Sequence, residues 1–147
     1  MDMDERWVNR PPEVMLETFH WFRGEGFGLI VEDLIRMPRE PCVIVEGFRL
    51  LPHLVKPLLA APEHAVWLLP APDFRQAAMR SRSVSGEGFV SKTSDPTRAD
   101  RNMAERDRMF TTCLEEETER LQLRTIQVDT TMTEDDLAEQ VTTAFRL

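Results

Sequence analysis

The sequence has few residues of the kinds that hold metal ions, and no segment suited to crossing a membrane. Its only cysteines are Cys42 and Cys113, and it contains neither a C-x-x-C pair nor a cysteine–histidine cluster. This pattern argues against a structural zinc site and is typical of two reduced, buried thiols in a cytoplasmic protein. No apolar run approaches the roughly 20 residues that a membrane helix needs. The sequence therefore predicts no metal site, no membrane partner and a cytoplasmic location.

Positive charge is scarce as well, and it is unevenly distributed. The 147 residues carry a formal net charge of −8 at pH 7, which argues against a general nucleic-acid-binding protein. From Arg75 to Arg108, however, eight basic residues stand against five acidic ones, so this stretch has a charge of +3 and the remainder of the chain −11. Such an island predicts a local anion site, and a solvated charged face is the alternative.

One short apolar run organises the predicted fold. Residues 42–45 read Cys-Val-Ile-Val, and three consecutive β-branched residues favour a strand. Because the run is apolar without alternation, we expect burial on both faces, as in a parallel sheet covered by helices. Glu46 would then lie at the carboxyl end of the strand, the edge at which open sheets bind ligands, and Gly47 would allow a tight turn.

Helical and strand patterns alternate along the chain around this run. The first ten residues start no convincing element and are interpreted as a lead-in arm. Further strands are predicted at 65–70 and 124–129, and helices at 12–37, 50–61, 73–82, 97–121 and from Thr133, which forms a capping pair with Asp136. Three glycines fall inside the first helix, where they would either kink it or allow close packing: Gly24, Gly26 and Gly28.

Residues 83–97 have the composition of a turn or linker and predict a lid-like loop. Right-handed crossovers would make the three strands parallel, with helices on both sides. We therefore expect a single α/β domain over residues 1–147. Its architecture would be a three-layer α/β/α fold with a small parallel sheet of about three strands.

Four segments together resemble one protein family. They are VIVEGFRLLP at 43–52, AVWLLPAPDFR at 65–75, AERDRMF at 104–110 and TIQVDTT at 125–131. Their order and spacing resemble the P-loop kinases of the nucleoside- and small-molecule-kinase type, proteins that are often described broadly as AAA-type ATPases. The resemblance covers most of the chain from about Pro12 onward. It implies a kinase-like phosphotransferase that uses ATP and Mg²⁺ and binds a nucleotide or another small phosphate-bearing ligand.

The strongest motif of that family is missing. No G-x-x-x-x-G-K-[ST] sequence occurs, and neither of the two lysines, Lys56 and Lys92, follows a glycine. That loop would hold the phosphates and Mg²⁺, so these ligands are expected of the complete family protein and not of this chain. The family's fold would place the missing strand between 42–46 and 65–70. The chain thus resembles the C-terminal part of a longer kinase-like protein, inactive alone; a shortened relative whose strands pair directly is the alternative.

The resemblance also implies roles for individual residues. Glu46 would orient water around magnesium or contact substrate, and Arg106 would clamp the transferring phosphate as a lid arginine. Further contacts to the nucleotide are implied for the lid and for a loop beside the base: Arg80, Arg82, Arg98 and Arg101, and Asp129, Thr130 and Thr131. The alternative for Glu46 is a capping carboxylate. The lid arginines could instead lie on solvated helix faces, and residues 129–131 could form an ordinary strand-to-helix turn.

A non-enzymatic interpretation starts from the same missing strand. Without that strand, strand edges and apolar helix faces would be left open, which favours association. The chain would then be a degenerate relative that binds an anionic ligand or a partner protein. This interpretation also allows the chain to form a homo-oligomer.

Overall fold

Helices make up most of the chain in the computed structural model, which describes residues 2–84 and 89–146. The helices are α1 (Met3–Trp7), α2 (Pro12–Thr18), α3 (Phe27–Arg36), α4 (Pro52–Val55), α5 (Pro72–Val84), α6 (Pro96–Arg120) and α7 (Glu134–Phe145). Short 3₁₀ turns lie at His20–Arg23, Lys56–Leu58, Pro62–His64 and Phe89–Lys92, and the strands are β1 (Trp67–Pro70) and β2 (Thr125–Val128). Within the described ranges, no helix has both the length and the apolar character needed to cross a membrane.

The two strands form a parallel sheet in which Trp67 lies opposite Thr125 and Pro70 lies opposite Val128. Both strands and their parallel direction were predicted and are confirmed. Burial alternates along them, since Trp67, Leu69, Ile126 and Val128 are buried whereas Leu68 is 45% exposed. Helix α6 packs against β1, and α7 packs against β2. The protein is therefore a mixed α/β protein with a small parallel sheet, as expected.

The prediction of a strand at residues 42–46 is wrong. Residues 42–46 belong to no helix or strand, and Val43, Ile44 and Val45 are 45%, 67% and 38% exposed. The prediction rested on the β-branched side chains, but a strand also needs a neighbour that completes its backbone hydrogen bonds. No described segment is paired with this run. The described part of the chain therefore contains two strands instead of about three.

The first ten residues are not a lead-in arm. Residues Met3–Trp7 among them form α1, whose first turn is capped by the Asp2 side chain accepting a hydrogen bond from the backbone N–H of Asp4. Trp7 and Val8 are buried, and they form a hydrophobic core cluster with Met15 and Ala99. Because Ala99 is distant in the sequence, the local pattern around a lone tryptophan gave no signal for this packing.

The helix predicted over residues 12–37 is divided into α2, the turn His20–Arg23 and α3. Gly24 ends the turn and Gly26 precedes α3, with φ angles of 79° and 81°. Side chains other than glycine adopt this left-handed conformation only at a steric cost. These glycines therefore interrupt the helix, which is a stronger effect than the kink or close packing that the sequence suggested. Helix α3 has an apolar face but contains no buried residue.

The later helices agree with the sequence patterns. Helix α6 begins after Asp95, whose side chain accepts a hydrogen bond from the backbone N–H of Arg98 at 3.0 Å. Helix α7 begins with the predicted capping box, in which Thr133 and Asp136 exchange hydrogen bonds. Buried thiols were expected, but Cys42 and Cys113 are both free and exposed. Cys42 is exposed because the strand that would have buried it is absent from the described residues.

Candidate functional site

The carboxyl ends of β1 and β2 lie at the same edge of the sheet, because the strands are parallel. Hydrogen bonds hold the loop after β2 to the start of α5 at this edge. The Thr130 hydroxyl donates to Asp73 Oδ2 at 2.6 Å. Asp129 Oδ1 accepts from the backbone N–H and the hydroxyl of Thr131 at 2.8 and 2.6 Å. Residues 129–131 thus lie where open parallel sheets bind ligands.

The same hydrogen bonds lower the pKa of two carboxyl groups. The Thr130 hydroxyl is the main cause of the lowered pKa of Asp73, and the Thr131 hydroxyl is the main cause for Asp129. In each case the hydrogen bond favours the charged form of the acid. Two ionised carboxylates therefore stand at this edge of the sheet at neutral pH.

An open cavity of about 270 Å³ adjoins the loop. Its lining consists of Asp129, Thr131, Met132, Asp136, Glu139 and Gln140. Three carboxylates and no basic side chain line it, so the cavity repels phosphate and favours a group that donates N–H hydrogen bonds, such as the amino group of a nucleobase. The cavity is thus suited to a hydrogen-bond donor or a cation and not to an anion.

Arg106 lies inside an aromatic cluster. Its guanidinium carbon is 5.6, 5.1 and 5.2 Å from the ring centroids of Trp7, Phe19 and Phe22. Its Nε and Nη2 donate to Asp107 Oδ1 at 2.9 and 2.6 Å, and only 9% of the side chain is exposed. The guanidinium is therefore already engaged by rings and by a carboxylate. Asp107 thus occupies two of the donor nitrogens that a phosphate would need.

Glu46 lies in the exposed segment that was expected to be a strand. No hydrogen bond or ion pair holds its side chain within the part of the chain that the structure describes. Phe48, two residues further on, contacts Phe22 with ring centroids 5.9 Å apart, and Phe22 also lies against Arg106. One aromatic side chain thus links the Glu46 segment to Arg106. The structure does not bring the two proposed catalytic side chains into contact.

The arginines expected in the lid lie on two helices. Arg80 is exposed on α5, and Arg98 and Arg101 are exposed near the start of α6. The side chain of Arg82, like residues 85–88 of the predicted loop, lies outside the described residues. The end of the loop is attached to α1, since the backbone N–H of Ser94 donates to Asp4 Oδ1 at 2.7 Å.

A second cavity, of about 540 Å³, lies between α2, the turn His20–Arg23, the Leu51–His53 segment and α6. Its lining consists of Leu16, Glu17, Phe22, Arg23, Leu51, His53, Phe110, Cys113, Leu114 and Glu117. The rings of Phe22 and Phe110 stack with centroids 3.9 Å apart, and His53 Nδ1 is 2.9 Å from Glu117 Oε1. The sequence did not reveal this cavity because its lining comes from distant segments. Its one signal is the helical spacing of Phe110, Cys113 and Leu114 on α6.

The comparisons with known proteins add no relative. No family model, no curated protein and no solved structure matches the chain. Within residues 2–84 and 89–146, no three histidine, cysteine, aspartate or glutamate side chains are grouped so that they could hold a metal ion. The site therefore has to be interpreted from its own geometry.

Proposed function

We propose that this chain is the C-terminal portion of an ATP-dependent small-molecule or nucleotide kinase-like protein. Its fold would be the three-layer P-loop kinase-like fold, which these 147 residues do not complete alone. One observation carries the proposal: among the described residues, β1 has an open edge and the β-branched run at 43–45 has no partner strand. The phosphate-binding strand of the family that the sequence resembles would fill this gap.

Backbone hydrogen bonds identify the open edge of β1. The N–H of Trp67 donates to the carbonyl of Arg124 at 3.0 Å, and the N–H of Ala71 donates to the carbonyl of Val128 at 2.8 Å. Backbone groups alternate between the two edges of a strand, so those of Leu68 point away from β2. In the described ranges β1 pairs with β2 alone. An open edge of this kind is what a missing neighbouring strand would leave.

The apolar side chains around residues 27–48 support the same proposal. Leu29, Ile35 and Ile44 are 66%, 78% and 67% exposed. Single exposed apolar side chains are common, but several in one stretch of chain indicate a surface that another segment covers. Parallel sheets are covered by helices on both faces. In the complete protein, α3 would be one of these covering helices.

The proposal assigns a task to each part of the site. Residues 129–131 would contact the edge of the nucleobase, beside the acidic cavity. Glu46 and Arg106 would act at the phosphoryl group, where the phosphate would compete with Asp107 for the Arg106 guanidinium. Arg80, Arg82, Arg98 and Arg101 would complete the lid. The complete protein, acting in the cytoplasm, would supply the loop that holds the phosphates of ATP and Mg²⁺.

A phosphotransfer assay on the purified chain tests this proposal. With Mg²⁺, ATP and a panel of nucleosides and small hydroxyl acceptors, we expect no turnover above background, because the phosphate-binding loop is absent. Turnover that disappears in Arg106→Ala but persists in Arg120→Ala, an exposed position at the other end of α6, would overturn the claim that the chain is incomplete.

A second candidate function is a non-enzymatic binding module for a protein or an anionic ligand. The enclosure of Arg106 favours it, since a guanidinium held between rings and Asp107 stabilises the fold without any ligand. This function predicts that the exposed apolar stretch associates in a defined way. Light scattering after size-exclusion chromatography would then give one discrete oligomer, whereas a stable monomer would count against it.

A further inference from the structure

The cavity of about 540 Å³ beside α6 has a mostly apolar wall. Leu16, Leu51 and Leu114 supply aliphatic side chains to this wall. Phe22 and Phe110 supply a stacked pair of rings whose planes are 7° apart. Small-molecule sites in proteins usually have volumes of roughly 300–1,000 Å³ and combine apolar walls with a few polar groups. The size and the wall of this cavity therefore suit the apolar body of a small ligand.

Hydrogen-bond acceptors predominate among the polar groups of the same cavity. His53 Nδ1 is 2.9 Å from Glu117 Oε1. Because a carboxylate only accepts, the proton of this contact lies on Nδ1, and Nε2 of the neutral imidazole remains an acceptor. Glu17 adds a second carboxylate, whereas Arg23 is the one guanidinium among the described lining residues. Arg23 Nη1 already donates to the backbone carbonyl of Glu17 at 3.4 Å, so the cavity favours a ligand group that donates hydrogen bonds.

Glu117 has one carboxylate oxygen that its neighbours leave open. Its side chain is 23% exposed, and both of its contacts, with His53 at 2.9 Å and Arg120 at 3.6 Å, are made by Oε1. In the part of the chain that the structure describes, no side chain or backbone group bonds to Oε2. The Arg120 side chain is 67% exposed, and exposed pairs of this kind are weak. Oε2 can therefore accept a hydrogen bond from a ligand, and a positively charged donor makes the strongest one.

We propose that this cavity binds a small primary amine with an aromatic body. The ring of the ligand lies against the leucines and the stacked phenylalanines, and its ammonium group donates to Glu117 Oε2. Two carboxylates against one guanidinium line the cavity, and the chain carries a net charge of −8, so an ammonium group is favoured over a carboxylate. The inference does not rest on the kinase-like function, and either can fail without the other.

The two cysteines of the chain provide the readout. Both thiols are free and exposed, but Cys113 lines the cavity and Cys42 does not. The full chain is treated with methyl methanethiosulfonate, a thiol-specific reagent, and the modification rate of each cysteine is measured by mass spectrometry. With 4-phenylbutylamine at ten times its Kd, which we expect on the order of 1 mM, Cys113 should react about tenfold more slowly, because few cavities remain empty. Cys42 should react at its original rate, and 4-phenylbutyrate, with a similar body and the opposite charge, should protect Cys113 much less.

The Glu117→Gln variant tests the carboxylate that holds the ammonium group. It removes the charge but keeps an oxygen that can accept the hydrogen bond from His53. We expect the Kd of 4-phenylbutylamine, measured by the same protection of Cys113, to rise about tenfold, because a charge-assisted hydrogen bond becomes a neutral one. Glu115→Gln is the matched control. It removes the same charge from an exposed position of α6 that does not line the cavity, and it should bind the amine as wild type does.

Two results with the wild-type chain would overturn the inference, whether or not the variants fold. The first is a Cys113 rate that 4-phenylbutylamine leaves unchanged or lowers only together with that of Cys42, which would mean that the cavity holds no such ligand. The second is equal protection by 4-phenylbutyrate or by spermidine, since the site would then select neither the charge nor the aromatic body. A folded Glu117→Gln variant that binds the amine as tightly as wild type would equally contradict the role given to Glu117.

Discussion

Arg106 joins side chains from three separate segments of the chain. Its guanidinium lies against Trp7 of α1, Phe19 at the end of α2 and Phe22 of the following turn. Cations are attracted to the faces of aromatic rings, and this attraction is stronger away from solvent. The arginine is thus an internal contact of the aromatic cluster, whatever further role it has toward a ligand.

Replacing Arg106 should show directly how much its guanidinium contributes to the free energy of unfolding. We expect Arg106→Ala to lower the free energy of unfolding by about 2–3 kcal/mol, because it removes the ring contacts and leaves Asp107 unpaired. Arg120→Ala, at an exposed ion pair, should change it by less than about 0.5 kcal/mol. Urea denaturation of both variants measures the difference. Equal stabilities would mean that the aromatic cluster does not depend on the guanidinium.

The contact between Thr130 and Asp73 predicts a measurable acid–base effect. Asp73 has a pKa below its ordinary value of 3.8 in the folded protein, mainly because the Thr130 hydroxyl donates to it. A depressed pKa stabilises the fold above the unfolded-state pKa, and this contribution is lost as the pH falls through the folded-state value.

Thr130→Val removes that hydroxyl with little change of shape. The pKa of Asp73, followed by NMR of its carboxyl carbon, should then rise toward 3.8, the ordinary value for aspartate. The variant should also lose less stability than wild type on acidification. Thr143→Val, at an exposed position of α7, is the control. An unchanged Asp73 titration in Thr130→Val would show that the hydroxyl does not hold the carboxylate.

Local signals determined which elements could be predicted. The capping pair formed by Thr133 and Asp136 lies at the start of the helix that it caps, so the sequence alone revealed it. The strand at 42–46 could not be judged in this way. Its β-branched residues satisfy the local preference, but a strand exists only with a partner, and the partner is a property of the whole fold.

Helix α7 offers a direct test of its cap. Thr133 accepts a hydrogen bond from the backbone N–H of Asp136 at 3.1 Å. We expect Thr133→Ala to lower the free energy of unfolding by about 1 kcal/mol. Thr143→Ala, exposed near the end of the same helix, should have a much smaller effect. If chemical denaturation gives the two variants the same stability, the capping box does not stabilise α7.

A pair of isoleucines tests whether residues 42–46 are unpaired. Ile126 in β2 is 9% exposed and Ile44 is 67% exposed. Ile126→Ala should lower the free energy of unfolding by about 2–4 kcal/mol because it leaves a cavity, whereas Ile44→Ala should change it by less than about 0.5 kcal/mol. Denaturation curves of the two variants provide the comparison. A comparable loss from both would mean that the segment is packed in solution.

At the scale of the whole molecule, the candidate site was only partly predictable. The resemblance pointed to the loop at 129–131, and the structure places this loop at the carboxyl edge of the parallel sheet. The aromatic surroundings of Arg106 and the buried Nη1 of Arg75 could not be found, since they depend on contacts between segments far apart in sequence. The sequence shows that these residues are basic, but it does not show which of them the fold encloses.

The open edge of β1 and the exposed stretch at 27–48 are the features that the proposed function has to explain. A separate folded unit with this composition would be expected to cover most of its large apolar side chains. Leu29, Ile35 and Ile44 remain exposed, and they lie in one continuous part of the sequence. A further strand and helix in the complete protein would account for all three.

The most direct test of the central claim is the intact mass of this protein as its native host produces it. The proposed function predicts a mass several kilodaltons above the 17.0 kDa of the present chain, with an additional segment that carries a glycine-rich phosphate-binding loop. A native mass of 17.0 kDa would contradict the proposal. The open strand edge would then be a property of the mature protein, and the binding-module function would take precedence.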